Sequence, residues 1–272
     1  MMSSPQPILA APLFVPLNDE LTRLLQGLTP EEWNTRAVGT WSVKDVAAHL
    51  LDTAFRRLSA QRDRYAPPFA PTQDLAAFIN EANAQWVSAT RRISPPILIE
   101  LIDRSGRDLA DYLMTLDPYA PAEWAVSWAG EKTSPNWFDT ARELTERWHH
   151  QQQIRDAAGR PPLYDVRYLK PVIDTFLRAL PFAYRNAPAS DGTRITFAVQ
   201  DVTRCSLVRD AGKWSLDCSS NGEATTTVGM SGDTAWRLFT KGLGRDEARR
   251  RSEIAGNAAL AEPLFSMVAI VA

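Results

Sequence analysis

The pattern of apolar residues changes near residue 160, and this change limits the folds that the chain can adopt. Before it, long segments repeat apolar residues at helical spacing. After it, short segments rich in β-branched residues lie between Asp- and Gly-containing turns, which is typical of antiparallel strands. Gly159 and the pair Pro161-Pro162 end the last long helical segment. The sequence therefore predicts two domains, a helical one over residues 1–162 and an α+β one over residues 163–272.

The first domain is predicted to be an antiparallel bundle of four long helices. Two helix starts in it are well marked. Thr29 precedes Pro30, a residue favoured at the first helical position, and Ser42 precedes Asp45 at the spacing of a capping box. The long helices are expected at about residues 43–64, 74–93, 95–114 and 140–158.

The second domain is predicted to combine helices with a small antiparallel sheet. Four strands are expected, at residues 193–200, 205–209, 214–218 and 224–230. Helices are expected over residues 168–180, over 231–241 with Ser231 as its cap, and over 258–271 at the end of the chain.

Charge and hydropathy exclude several classes of protein. Hydrophobic residues make up 44% of the chain, which is too many for a disordered protein. The 30 basic and 32 acidic residues give a net charge of −2 and no basic patch for nucleic acid. No apolar run approaches the ~20 residues of a membrane span, and the N-terminus lacks the basic region of a signal peptide. We therefore expect a cytoplasmic protein that binds neither nucleic acid nor membranes.

The two cysteines, Cys205 and Cys218, flank a predicted tight turn at Ala211-Gly212. If that pair forms a two-residue loop, the cysteines face each other across a hairpin. In a reducing compartment, such a pair is expected to stay as two reduced, small apolar residues. A redox-active pair is the alternative.

The chain has three histidines, and their positions single out one candidate site. His49 has Val46 and Leu50 as helical neighbours, so it is expected to point into the bundle. Glu146 and His150 lie one helical turn apart, which places a carboxylate beside an imidazole. Each feature alone is more typical of a hydrogen-bonded core histidine or a surface pair. Together they supply two imidazoles and a carboxylate, a set that binds catalytic zinc and also suits Fe(II), Ni(II) or Co(II).

The segments around these residues resemble a known family. WSVKDVAAHLLD resembles the first histidine motif of the mycothiol-dependent maleylpyruvate isomerase family, within the DinB-like superfamily, and TERWHHQQQIRD resembles the second. VGMSGDTAWRLFTKGL and LAEPLFSMVAIVA resemble its C-terminal domain, so the resemblance covers nearly the whole chain. It implies a DinB-like bundle with His49, Glu146 and His150 as metal ligands, followed by a sterol-carrier-like α+β domain.

The resemblance also implies that a basic residue of the C-terminal domain takes part in catalysis. Arg237, Lys241 and Arg245 are the candidates, although solvated helix charges of this kind are common. The sequence departs from the family pattern at Gln153, where the isomerases more usually have an aspartate. This departure bears on the substrate chemistry more than on the metal site.

The leading hypothesis is a metal-dependent enzyme that uses a low-molecular-weight thiol, whose thiolate attacks an electrophilic carbon with cis–trans isomerisation or S-transfer as the outcome. The family resemblance implies that the thiol is mycothiol and that the substrate is a small anionic molecule such as maleylpyruvate. A metal-activated hydrolase and a non-catalytic carrier or sensor are the alternatives. A closed structural site would need a fourth protein ligand, for which Asp52 and His149 are the candidates.

Overall fold

A computed structural model describes residues 5–65, 75–219 and 222–270 of the chain. These residues form two compact units. The helical unit comprises Leu9–Glu123 and Glu143–Leu163, and the mixed unit comprises Trp124–Arg142, Tyr164–Ile270 and the N-terminal residues up to Ile8. The division of the chain at residue 162 into two domains stays a prediction.

Among its described residues, the helical unit contains five α-helices and the greater part of a sixth. They are α1 (Phe14–Gln26), α2 (Pro30–Asn34), α3 (Val43–Arg57), α4 (Leu75–Thr90), α5 (Pro95–Met114) and, from Glu143 onward, α6 (Asn136–Ala157). A two-stranded ribbon of β1 (Arg36–Val38) and β2 (Trp41–Ser42) precedes α3. The four long helices predicted from the sequence are therefore present, although residue 74, the expected start of α4, lies outside the described residues.

A capping interaction fixes the residue at which α3 begins. The start of the helix in turn determines which of its residues face inward. The Ser42 hydroxyl accepts a hydrogen bond from the Asp45 amide at 3.2 Å, and the Asp45 carboxylate accepts one from the Ser42 amide at 3.0 Å. This is the capping box that the sequence predicted, and Thr29 and Glu32 form a second one at the start of α2. The end of α3 differs from the expected uniform helix to residue 64, because Leu58–Arg62 continues it as a π-helix.

The core of the helical unit lies where α1, α3, α5 and α6 meet. Its buried members include apolar residues from each of these helices: Leu21 and Leu25 of α1, Val46, Leu50 and Leu51 of α3, Leu98 and Ile102 of α5, and Ile154 of α6. Burial of an aliphatic side chain stabilises a fold by about 1.5–3 kcal/mol, so this cluster holds α3 and α6 in place. These two helices carry all three histidines.

The mixed unit is built on one sheet. Its elements in chain order are α7 (Val166–Leu177), α8 (Leu180–Ala183), β3 (Arg194–Val199), β4 (Thr203–Asp210), β5 (Lys213–Asp217), β6 (Thr226–Met230), α9 (Gly232–Phe239), α10 (Arg245–Arg250) and β7 (Glu253–Gly256). In the described residues, five strands pair in the order β5-β4-β3-β6-β7. The predicted α+β class is confirmed.

Three details of the mixed unit differ from the sequence-based expectations. The sheet is mixed, because β3 pairs with β4 in the antiparallel direction along one edge and with β6 in the parallel direction along the other. The strand β7 was not expected, since its residues are mostly exposed and show no alternating pattern. The expected helix over 258–271 is instead a 3₁₀ helix at Ala258–Ser266, where Pro263 lacks the N–H that an α-helix needs; residue 271 lies outside the described residues.

The hairpin between β4 and β5 confirms the predicted two-residue loop. Asp210 faces Lys213, and Arg209 faces Trp214. Ala211 and Gly212 have positive φ angles of 46° and 72°, as both central residues of a type I′ turn require.

The cysteines of this hairpin are bonded, and the expectation of two reduced thiols is wrong. Cys205 and Cys218 form a disulfide across the strands, with their Cα atoms 4.1 Å apart. The register brings the two residues about as close as a non-hydrogen-bonded antiparallel pair, within the reach of a disulfide.

No helix within the described ranges combines the length and the apolar character that crossing a membrane demands.

Candidate metal centre

Three residues on two helices converge in the helical unit. His49 lies two turns into α3, and Glu146 and His150 lie one turn apart on α6. Each offers one ligand atom, and these atoms all lie within 4.8 Å of one another. His49 and His150 are buried, with 5% and 9% of their surface exposed, and Glu146 is partly buried. The structure therefore brings together the three residues that the sequence singled out.

One carboxylate oxygen lies at the centre of the group. Oε1 of Glu146 is 3.1 Å from Nε2 of His49 and 3.1 Å from Nε2 of His150. The two imidazole rings meet edge to face, with their centroids 4.8 Å apart. The ring of Trp41 covers His49 at 5.2 Å. Two nitrogens and one oxygen thus point at a common position.

A hydrogen bond on its far side fixes the tautomer of His150. Nδ1 of His150 lies 2.8 Å from Oε1 of Gln153. Because an amide oxygen can only accept, Nδ1 carries a proton; Nε2 then offers a lone pair in the neutral ring and a second N–H in the imidazolium. Two acceptors 3.1 Å apart repel each other unless a proton or a metal cation lies between them. The donor set therefore fits a divalent cation.

The pKa shifts follow the same logic. Burial alone would raise the pKa of Glu146, but the charge of His150 and hydrogen bonds from both imidazoles hold it well below its usual range. Burial alone would lower the pKa of His150, but the charge of Glu146 and the bonds to Glu146 and Gln153 raise it. For His49 burial prevails, and its pKa is lowered. The carboxylate is thus held as an anion beside an imidazole whose protonated form is favoured.

Neither candidate for a fourth protein ligand belongs to the set of converging ligand atoms, although Nδ1 of His149 lies 3.9 Å from Oε2 of Glu146. Asp52 pairs with Nε of Arg56 at 2.9 Å. His149 donates from Nδ1 to the carbonyl oxygen of Thr145 at 3.0 Å, and burial lowers its pKa to about 3. In the part of the chain that the structure describes, the set is two histidines and one glutamate. Catalytic zinc sites use three protein ligands in this way.

The three basic residues suggested by the family resemblance lie in the mixed unit. Arg237 on α9 donates from Nε to Asp233 at 2.8 Å. Lys241 follows α9 with a positive φ of 61°. Arg245 begins α10 and pairs with Glu262 at 2.5 Å. Their part in catalysis stays a prediction.

A buried ion pair beside the centre was missed by the sequence analysis. Nε of Arg147 lies 3.3 Å from Oε1 of Glu143, and both side chains are almost fully buried. Thr53 on α3 accepts a 3.4 Å hydrogen bond from Nη2 of the same arginine. The sequence contains a signal for this ion pair, because Glu143 and Arg147 have the same four-residue spacing as Glu146 and His150.

Comparisons with known proteins agree with this architecture. A family model described as the mycothiol maleylpyruvate isomerase N-terminal domain matches residues 14–155. The crystal structure of a mycothiol-dependent maleylpyruvate isomerase superposes with a TM-score of 0.53 at 14% identity, covering 86% of this chain and 88% of that chain. A histidine-to-alanine variant of that enzyme gives the same score and coverage at 13% identity. At these identities the likeness shows a shared fold. No curated protein matches the sequence significantly.

Proposed function

The chain belongs to the mycothiol maleylpyruvate isomerase N-terminal domain family, as its motifs predicted, and on this premise we propose that it is a metal-dependent enzyme using a low-molecular-weight thiol. The thiol would be mycothiol or a close relative. The substrate would be a small, electrophilic and anionic molecule such as maleylpyruvate, and the reaction cis–trans isomerisation or S-transfer.

One observation supports the proposal above the others. Two imidazole nitrogens lie 3.1 Å from the same oxygen of Glu146, and Gln153 accepts a hydrogen bond from Nδ1 of His150, which leaves Nε2 facing that oxygen. A divalent cation held by these three side chains would replace the protons that otherwise join the imidazoles to the carboxylate. Zinc is the first choice for two nitrogens and one oxygen, with nickel, iron and cobalt as further options.

The residues of the chain have distinct parts in this proposal. His49, Glu146 and His150 would hold the metal, which when bound lowers the pKa of a coordinating thiol so that a thiolate is present at neutral pH. Gln153 keeps the ring of His150 in orientation. Trp41 packs its ring against that of His49.

The thiolate accounts for both possible outcomes. Its addition to an activated alkene converts a double bond to a single bond, about which the adduct can rotate. Expulsion of the thiolate then gives the isomer and regenerates the thiol, whereas an adduct that persists is the product of S-transfer. Arg237, Lys241 and Arg245 stay the candidates for a cation that holds the substrate's carboxylate.

The test is a thiol-dependence experiment on the zinc-loaded protein. Mycothiol binding is measured by calorimetry, and maleylpyruvate isomerisation is followed with and without mycothiol. We expect binding and isomerisation in the parent, and neither in His150→Ala. Binding without isomerisation would point to S-transfer. Failure of the loaded protein to bind any thiol would overturn the proposal and favour a hydrolase that uses bound water.

A further inference from the structure

The disulfide of the mixed unit lies at the end of an edge strand. The strand β5 pairs with β4 alone, and Cys218 follows its last residue. Cys205 lies within β4 and is 3% exposed, whereas Cys218 is exposed. We propose that this disulfide is a site of reversible modification by low-molecular-weight thiols, which attack the sulfur of Cys218.

Burial makes the two sulfurs unequal. Cys205 sits in a strand that has neighbours on both sides, and its cross-strand partner in β3 is Phe197, itself 2% exposed. Cys218 is therefore the residue of the pair that a thiolate meets from solvent, and Cys205 is shielded. Access to a particular sulfur is one of the factors that decide where thiol–disulfide exchange occurs.

The charges next to Cys218 also favour the approach of an anion. The neighbouring carboxylate, Asp217, accepts from Nη2 of Arg194 at 3.1 Å and from the amide and hydroxyl of Ser219 at 3.1 and 3.0 Å. These contacts offset its negative charge, which would otherwise repel a thiolate.

The exchange balances without any oxidant or reductant. The thiolate RS⁻ forms a bond to Sγ of Cys218, and the bond between Cys218 and Cys205 breaks. The electron pair leaves on Sγ of Cys205, which takes a proton from solvent. The mixed disulfide is reversed when the Cys205 thiolate attacks Cys218 and expels RS⁻. The hairpin register keeps the two cysteines opposite each other, so this return step is intramolecular.

This inference goes beyond the proposed function and does not depend on the metal centre. The thiol that an enzyme of this family uses would also be the one at hand to modify Cys218. Any small thiol serves for the test, and glutathione is the probe used below.

The experiment uses the full chain, purified without reductant. The folded protein is treated with millimolar reduced glutathione, quenched with acid, and analysed by intact mass spectrometry and peptide mapping. Because the return step is intramolecular, we expect a fraction of the acid-trapped protein to carry the added mass of one glutathione, located on Cys218. The variant His150→Ala, which lacks a residue of the proposed metal centre, should give the same adduct. The disulfide reaction can therefore be tested whether or not the proposed enzyme activity is found.

Two matched variants test the asymmetry between the sulfurs. With oxidised glutathione, Cys205→Ser should form a stable mixed disulfide at Cys218, whereas Cys218→Ser should react only after denaturation. Circular dichroism checks that both variants are folded. If one variant is unfolded, the peptide map of the parent shows which cysteine carries the adduct. The proposal is overturned if the purified protein contains two free thiols, if the adduct lies on Cys205, or if the folded parent gives no adduct.

Discussion

The hydrogen bond from His150 to Gln153 yields the most informative single substitution. Gln153→Met keeps the length of the side chain and removes the acceptor that lies 2.8 Å from Nδ1. The ring is then free to turn or to change tautomer, and the lone pair of Nε2 loses its fixed direction. Loss of such a partner weakens metal binding about 10–100-fold, which corresponds to about 1.4–2.8 kcal/mol. Gln153→Glu supplies a stronger acceptor and should bind zinc at least as tightly as the parent.

Zinc affinity is measured by competition with a chromophoric chelator, and circular dichroism confirms that each variant is folded. Gln85→Met is the matched control, because Gln85 is exposed and bonds to Glu81 on the same helix. Its affinity should equal that of the parent. If Gln153→Met binds zinc as tightly as the control does, the hydrogen bond does not orient a ligand, and the reasoning fails.

Three further predictions concern stability. Gly106→Ala should cost about 1–3 kcal/mol in urea unfolding, because its Cβ would lie 2.0 Å from Oδ1 of the buried Asn18; an unchanged midpoint would refute the contact. Ala211→Gly should raise the Tm, since the left-handed conformation at φ 46° costs an L-residue about 1–2 kcal/mol; a lower Tm would count against the turn. Burial would raise the pKa of Asp45, but hydrogen bonds from Arg91 and Ser42 lower it. The ionised carboxylate therefore stabilises the folded state above the unfolded pKa of about 3.9, and this stabilisation is lost as the pH falls through the folded pKa. The stability difference between the parent and Asp45→Asn should therefore shrink on acidification, and a difference independent of pH would contradict the pairing.

The parts of the site that follow from helix geometry could be predicted from sequence. Glu146 and His150 share a face because a helix has 3.6 residues per turn, and the cap at Ser42 sets the phase that turns His49 inward. The contact to Gln153 obeys the same local rule at a spacing of three residues. The sequence analysis marked that residue only as a departure from the family pattern, without assigning its partner.

The features that depend on the oxidation state of the cysteines or on pairing between distant segments could not be predicted from sequence. The register of the hairpin placed Cys205 opposite Cys218, but facing positions do not determine whether two thiols are oxidised. The parallel pairing of β3 and β6 joins segments about 30 residues apart, for which local patterns carry no signal. In the same way, nothing in the exposed residues of β7 distinguishes a strand from a loop.

The central claim is that His49, Glu146 and His150 hold one metal ion. The most direct test is the metal content per chain of protein purified without added metal, measured beside His49→Ala and His150→Ala. We expect about one equivalent of zinc, nickel or iron in the parent, and its loss in both variants while they remain folded. A parent that holds no metal, even after soaking with Zn²⁺ or Ni²⁺, would show that these three residues do not form a metal site.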